Sequence, residues 1–418
     1  MALHSRREFL TATGTVGVAS LAGCATNRFG LLGEDWPKTA DGTTEPLPDE
    51  PAGWPQYGRN PRHTGFARAT RLDDPSEEWT FTLTGGMVPP VVVGNRVIVH
   101  GRGTSKSEGS DGSAGSAVFS LRTDDGSQEW RRDLPSRGWG FSGCPPIVYR
   151  GSVYVGGNGI YALSARDGRP RWRHETNDSV NDAAVGYQNT VVASTGDDLL
   201  AFDERGHTRW AYHTGADRAS RSPPTAGGGY VLYTTGIIET VVAIDPRVGN
   251  TEWVYQADSS FGTPTVADGS AYIPSLDRLH AVDVATGDGR WTTEVTAASG
   301  VATDSSRLFV TTAAGDLVAY ATRDGTEQWR RNLAAGESVN LGTRPLVTER
   351  SVIVTTEKSQ LDERVTTYAV DRRTGETRWT VDQPGNISFD AIAADGRLYV
   401  PVSWSSDAGG GTLVVLSD

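Results

Sequence analysis

Eight of the twelve tryptophans recur at a nearly regular interval, and this periodicity constrains the fold more than any other feature of the chain. The eight are Trp79, Trp130, Trp172, Trp210, Trp253, Trp291, Trp329 and Trp379. Seven of them follow a glycine by four residues, and the first has Pro75 in that place. A period of about 40 residues is typical of propellers and solenoids, in which each repeat is one supersecondary unit.

The repeating unit is clearest in its best copies, VVAIDPRVGNTEW, LHAVDVATGDGRW and TYAVDRRTGETRW. An alternating apolar strand leads into an aspartate, a tight turn closes on the glycine, and a second strand opens at the tryptophan. A further hairpin precedes this one in GTPTVADGSAYIP, with Asp268 and Gly269 at its turn. Four short strands per repeat predict one blade of a β-propeller.

The number of blades follows from the tryptophans, each of which opens the last strand of a blade. Trp130 to Trp379 close seven blades, and three more strands are predicted at the end of the chain, over Ile387–Ala393, Leu398–Val402 and Thr412–Leu416. The strand missing from this last blade is predicted near the start, at Glu78–Thr82. The sequence therefore predicts an all-β, eight-bladed propeller of four-stranded antiparallel blades, closed by an N-terminal strand. The eight tryptophans are predicted to be structural residues buried between blades.

The motif A-x-D-x-x-T-G-x-x-x-W resembles that of the PQQ-like β-propeller repeat. This family includes quinoprotein alcohol dehydrogenases and the propeller lipoprotein of the bacterial outer-membrane barrel-assembly machinery. The run Trp54-Pro55-Gln56-Tyr57-Gly58, with Asn60, Thr64 and Gly65, resembles the segment that precedes such propellers. The resemblance covers residues 54–418.

For the dehydrogenases, the resemblance implies a quinone held beside an adjacent cysteine pair, over Ca²⁺, with an aspartate as base. This chain has two cysteines, Cys24 and Cys144, and lacks both an adjacent pair and a C-x-x-C-H haem motif. Its seven histidines show no metal-binding spacing. We therefore predict a non-enzyme with no catalytic residue, metal or cofactor, and keep a PQQ-linked or other small-molecule redox enzyme as the alternative.

The N-terminus, Ser5-Arg6-Arg7-Glu8-Phe9-Leu10 followed by a short apolar run, resembles a twin-arginine export signal. The run ends in Leu21-Ala22-Gly23-Cys24, which resembles a lipobox and implies a lipid on Cys24. We predict a signal peptide over 1–23, a proline-rich tether over 24–53 and the propeller over 54–418. The plainer interpretation treats Arg6 and Arg7 as solvated charges and Cys24 as an ordinary small residue.

The net charge of −12 argues against a nucleic-acid binder that depends on phosphate contacts. Lysine accounts for only three of the 39 basic residues, Lys38, Lys106 and Lys358. Scarce lysine with surplus acid resembles the surface of a halophile, in particular a haloarchaeal one. A GC-rich genome is the other explanation for the preference for arginine.

A candidate ligand site is predicted at the mouth of the channel, where the inner strands begin. Six residues form this predicted ring: Trp139, Asp182, Arg221, Phe261, Arg344 and Asp390. Mixed charge with aromatic members suits a small polar ligand. The alternative is that the arginines and aspartates neutralise one another and keep the channel wet.

These observations predict a monomeric propeller, lipid-anchored at the extracytoplasmic face of the cell membrane, that binds exported or membrane proteins or a ligand. A cell-surface glycan-binding module is a second alternative to this scaffold. Two long loops, over Gly101–Ser116 and Glu357–Arg364, and two glycosylation sequons, at Asn177 and Asn386, are further candidates for function.

Overall fold

The computed structural model describes most of the propeller region in fourteen segments. They are residues 53–102, 115–135, 143–176, 179–180, 182–195, 198–213, 222–235, 240–256, 262–297, 299–333, 343–357, 364–387, 389–403 and 410–418. All regular structure in these segments is β-strand. They contain no helix long and apolar enough to cross a membrane.

Eight antiparallel sheets follow one another along the chain as blades. From the inner to the outer strand, blades 1 to 4 consist of Val91–Val93, Arg96–Arg102, Ser116–Arg122 and Gln128–Asp133; Ile147–Tyr149, Ser152–Gly157, Gly159–Ser164 and Pro170–Glu175; Val185–Tyr187, Thr190–Thr195, Asp198–Phe202 and Thr208–His213; and Thr225–Gly227, Tyr230–Thr235, Thr240–Ile244 and Thr251–Gln256. The short inner strands and the tight turns between strands match the predicted repeat.

Blades 5 to 7 repeat this plan. Their strands are Thr265–Ala267, Ser270–Pro274, Arg278–Asp283 and Gly289–Glu294; Ala302–Thr303, Arg307–Thr311, Asp316–Ala321 and Glu327–Asn332; and Leu346–Thr348, Ser351–Glu357, Arg364–Asp371 and Thr377–Pro384. Two further strands, β1 (Gly53–Trp54) and β2 (Phe66–Ala67), pair with the inner strands of blades 1 and 7.

Blade 8 joins the two ends of the propeller. Its outer strand is β3 (Ser76–Leu83), which pairs antiparallel with Gly411–Ser417 and places Trp79 opposite Val415. Arg397–Ser403 and Ile392–Ala394 complete the blade, and a short strand at Asn386–Ile387 pairs with the far end of Arg397–Ser403. The predicted eight-bladed propeller and its N-terminal closing strand are confirmed. The predicted inner strand at Ile387–Ala393 was wrong in its bounds, because the described part of that stretch forms two separate strands.

The glycine and the tryptophan of the repeat meet across blades. The glycine before each of seven tryptophans lies against the indole of the preceding blade, so that a Cβ added to Gly168 or Gly206 would come within 2.6 Å of that ring. Indole N–H groups also donate to a carbonyl of the next blade. These bonds join Trp79 to Thr123, Trp172 to Glu204, Trp210 to Pro246, Trp253 to Val284, Trp291 to Thr322 and Trp329 to Arg372. The motif G-x-x-x-W therefore encodes contacts between neighbours rather than within one blade.

Candidate functional site

The segment from Gly53 to Ala67, which we call the collar, runs around the inside of the ring. It begins as β1 on blade 1 and ends as β2 on blade 7. Between these points it accepts hydrogen bonds from the inner strands of blades 2 to 7 in order. The donors are the backbone N–H groups of Val148, Gly186, Ala226, Val266, Thr303 and Val347, and the acceptors are Pro55 O, Gln56 Oε1, Pro61 O, Arg62 O, Thr64 O and Gly65 O. One short segment thus joins consecutive blades across the channel.

The local sequence of the collar explains its path. Pro55 and Pro61 have no N–H group, and both contribute carbonyls to the blades. Asn60 turns the chain, because its Oδ1 accepts from the N–H groups of Arg62 at 3.1 Å and Thr64 at 3.3 Å. Gly58 has φ of +59°, and a Cβ there would lie 2.7 Å from Nη1 of Arg344. The segment that resembles the family's leading motif is therefore the collar itself.

Arg344 lies beneath the collar and is only 6% exposed. Its Nη2 donates to Thr265 Oγ1 at 2.8 Å and to the carbonyl oxygens of His63 and Val301. Its backbone N–H donates to Oδ1 of Asp390 at 2.8 Å. One arginine thereby ties the collar to blades 5, 6 and 8.

Burial dominates the electrostatics of this cluster. It raises the pKa of Asp390, although hydrogen bonding and the charge of Arg344 act in the opposite direction. It raises the pKa of Tyr57 with help from the Asp390 charge, and it lowers the pKa of Arg344. It lowers the pKa of His63 well below its usual range, and Arg344 adds to that effect. The guanidinium of Arg344 lies 5.8 Å from the ring centroid of Tyr57.

The space left between collar and blades is small. A cavity lined by Tyr57, Arg344, Asp390 and residues of blades 1 and 2 has room of about 10 Å³ for the centre of a water molecule. That is about enough for one water. The space between the collar and these blades therefore has no room for a ligand of the size of a tricyclic quinone.

The six residues of the predicted ring have different outcomes. Arg344 and Asp390 are brought together, but under the collar, where Arg344 is buried and Asp390 is half-buried, rather than at an open mouth. Asp182 precedes the inner strand of blade 3, and its carbonyl accepts from Sγ of Cys144 at 3.0 Å. The other three, Trp139, Arg221 and Phe261, lie outside the described residues. Tyr57 and His63, which complete the cluster, belong to no repeat and were missed as site residues.

The described residues do not fit the quinone site of the dehydrogenases. Cys144 is a buried thiol without a cysteine partner, and burial raises its pKa to about 12. Its Sγ accepts from the Gly156 N–H at 3.3 Å, which is a packing role. No group of three or more metal-ligating side chains occurs within the fourteen described segments.

Several further candidates lie outside the described residues. These are Arg6, Arg7, Cys24, Asn177 and most of both long loops, 103–114 and 358–363. Asn386 is described, and it is a half-buried residue of a short strand.

A family model described as outer membrane protein assembly factor BamB matches residues 67–293 and 275–417. The chain belongs to this family. The match confirms the resemblance to the PQQ-like propeller repeat.

Two kinds of curated protein are similar to parts of the chain. Quinohemoprotein alcohol dehydrogenase of Comamonas testosteroni is 27% identical over 222 residues, which are 47% of this chain and 31% of that protein. Serine/threonine-protein kinase AfsK of Streptomyces coelicolor is 31% identical over 179 residues, which are 40% of this chain and 20% of the kinase. The chain thus spans a third or less of either relative.

Solved structures share the fold. BamB of Moraxella catarrhalis superposes with a TM-score of 0.63 at 19% identity, over 82% of this chain and 98% of that one. A europium-containing methanol dehydrogenase superposes with a TM-score of 0.69 at 13% identity, over 88% of this chain and 98% of that one. At these identities the likeness concerns the fold alone.

Proposed function

We propose that this protein is an extracytoplasmic propeller that binds exported or membrane proteins and does not catalyse a reaction. The observation that supports this most directly is the collar, whose residues occupy the channel beside Arg344 and Asp390. An enzyme of this fold would need space for a cofactor and substrate near the axis. Because the collar fills the axis at its own level, we expect the outer surfaces and turns of the propeller to bind the partner.

We further propose that the chain is exported through Arg6 and Arg7 and held at the membrane by a lipid on Cys24. The order of arginine pair, apolar run and cysteine supports this. Replacement of Cys24 by Ser in the full chain is expected to release the exported protein from the membrane fraction. A Cys144→Ser variant is the matched control, because that thiol is buried in blade 2. Release of both variants, or of neither, would contradict the anchor.

Cross-linking in intact cells, followed by purification in detergent, tests the binding function. The full chain is expected to yield at least one protein in near-stoichiometric amount that is absent from a tag-only control. Recovery of no such protein under several cross-linkers would overturn the proposal.

The similarity to quinohemoprotein alcohol dehydrogenase keeps a redox enzyme as the second candidate. Purified protein mixed with PQQ and Ca²⁺ is expected to show no saturable change in quinone absorbance and no dye reduction with alcohols or sugars. Stoichiometric quinone binding together with dye reduction would favour the enzyme.

A further inference from the structure

The turns that connect the first two and the last two strands of each blade lie on one face of the ring, because antiparallel turns alternate between faces. Two open depressions on this face adjoin the collar beside blades 5 to 7. They measure about 620 Å³ and about 260 Å³ and share Phe66 and Arg68. We call the two together the collar groove.

The collar groove is positively charged in a protein whose net charge is −12. Three acidic residues line it, Asp268, Asp304 and Glu349, against six arginines. The arginines are Arg59, Arg62, Arg68, Arg307, Arg372 and Arg373. By formal charge, the lining residues therefore have an excess of three positive charges within one region of the surface.

Asp304 holds two of these arginines in place. Its side chain is 1% exposed and lies 2.9 Å from Nη1 of Arg372 and 3.7 Å from Nη1 of Arg307. Its Oδ1 also accepts from the backbone N–H groups of Ser306 and Arg307. The carboxylate of Asp304 is therefore buried and directed away from solvent. It holds the two arginines in position before any ligand binds.

Phe66 carries two further cationic contacts. The guanidinium carbons of Arg68 and Arg372 both lie 5.8 Å from the centroid of its ring. Contacts of this kind orient a guanidinium and leave its N–H groups able to donate. Phe66 thus links the two depressions of the collar groove into one surface.

Arg373 differs from three of the arginines in the equivalent turns of other blades. Arg169, Arg247 and Arg323 are exposed, and each pairs with an aspartate of its own turn. In blade 7 the aspartate of the turn, Asp371, pairs with Arg378 at 3.3 Å. Within the described segments, neither Arg373 nor Arg68 has a carboxylate within 4.0 Å. Two exposed cations of the groove therefore have no ion pair with the part of the chain that the structure describes.

The shape and charge together indicate the class of ligand. Sites for small molecules are mostly apolar and enclosed, whereas the collar groove is open and lined by charged side chains. Arginine pairs well with planar carboxylates, in two parallel hydrogen bonds. A long polyanion such as nucleic acid would meet the surplus acid beyond the groove, whereas a short segment interacts mainly within a Debye length of about 10 Å at 0.1 M salt.

We propose that the collar groove binds an acidic, extended polypeptide segment of a partner protein, whose carboxylates pair with Arg68, Arg372 and Arg373. This inference rests on the proposed protein-binding function and names the chemistry of the partner.

A labelled decaglutamate peptide tests the proposal by fluorescence anisotropy with the full chain at low salt. Saturable binding that weakens as salt rises is expected. The double variant Arg68→Glu/Arg373→Glu is expected to weaken it roughly tenfold or more, since each reversal replaces an attraction by a repulsion. Arg169→Glu, on the same face but in blade 2, is the matched control and is expected to change binding less than about twofold.

The proposal would be overturned by a lack of decaglutamate binding, by equal weakening in the control, or by tighter binding of a polyphosphate of the same charge. A tenfold gain in decaglutamate affinity on neutralising Glu45, Asp49 and Glu50 would also overturn it, because the groove would then be matched to the chain's own acidic segment. Melting curves establish that both variants are folded.

Cross-linking with the double variant separates this inference from the proposed function. A partner captured equally by variant and wild type would refute the groove and leave the binding function standing. If decaglutamate binds but neither protein captures a cellular partner, the binding function and the proposed partner are both refuted. The peptide binding would then show only that the groove attracts acidic peptides.

Discussion

The indole ring of Trp172 in blade 2 lies against Gly206 in blade 3, where a Cβ would come within 2.6 Å of Cδ2 of the tryptophan. The same tryptophan donates its indole N–H to the carbonyl of Glu204 at 3.1 Å. A ring contact and a hydrogen bond therefore fix one blade to the next. Because the glycine belongs to the turn that precedes the next tryptophan, the contact is repeated around the propeller.

Replacing Gly206 by Ala is expected to destabilise the protein by about 2 to 4 kcal/mol. The Cβ would collide with Trp172, and φ of +87° is already strained for any residue other than glycine. Urea unfolding monitored by tryptophan fluorescence measures the loss. Gly396→Ala is the matched control, because its φ is +76° and a Cβ there would meet nothing within 4 Å. If both variants lose the same free energy of unfolding, backbone strain alone explains the loss and the collision with Trp172 contributes nothing.

The indole hydrogen bond can be separated from ring packing by comparing two half-buried tryptophans. Trp291 donates to the carbonyl of Thr322 at 3.1 Å, whereas the buried indole nitrogen of Trp130 has no partner in the described segments. Trp291→Phe is expected to lose about 1 kcal/mol more than Trp130→Phe, because only the first removes a hydrogen bond. Parallel urea titrations give the difference. A larger loss at Trp130 would contradict this account.

The repeat allowed the blades to be predicted because the glycine and the tryptophan are both in the sequence at fixed spacing. It also allowed the closing strand to be placed, since Trp79 continues the series of tryptophans although Pro75 replaces the glycine. The collar could not be predicted in this way. Its contacts depend on the positions of backbone N–H groups in seven inner strands. Residues 53–67 contain no repeating pattern that corresponds to those positions. Arg344 and Asp390 were therefore expected at an open mouth, although Tyr57 and His63 cover them.

Acid is expected to destabilise the protein through His100. Burial lowers the pKa of this histidine to about 4, and its hydrogen bond to the carbonyl of Cys144 only partly offsets that effect. The unfolded chain, with a histidine pKa of about 6.5, binds a proton first as the pH falls. The contribution of His100 to the free energy of unfolding is therefore fully present above about pH 6.5. It declines toward pH 4, by on the order of 3 kcal/mol.

Urea midpoints across pH 7.5 to 4 check this expectation. His100→Asn is expected to be less stable at neutral pH because it loses packing, but to show a smaller decline between pH 6.5 and 4. His207→Gln, at an exposed histidine, serves as the control and is expected to change the decline less than His100→Asn does. A His100→Asn profile parallel to that of the wild type would assign the acid sensitivity to other groups.

We expect the position of the collar to depend on the absence of a side chain at Gly58. A Cβ at this residue would lie 2.7 Å from Nη1 of Arg344 and 2.8 Å from Cα of His63, so Gly58→Ala is expected to push the collar away from the arginine. Gly94→Ala has nearly the same φ, +57° against +59°, and a Cβ there would meet nothing within 4 Å. The first variant is therefore expected to be about 1 to 3 kcal/mol less stable than the second.

Hydrogen exchange adds a local measurement to the urea curves. In Gly58→Ala, the backbone N–H groups that donate to the collar, such as those of Ala226 and Val347, are expected to exchange faster than in Gly94→Ala. The N–H groups of strands in the middle of the blades are expected to keep their protection. Uniform loss of protection throughout the propeller would instead mean that the collar unfolds only together with the ring.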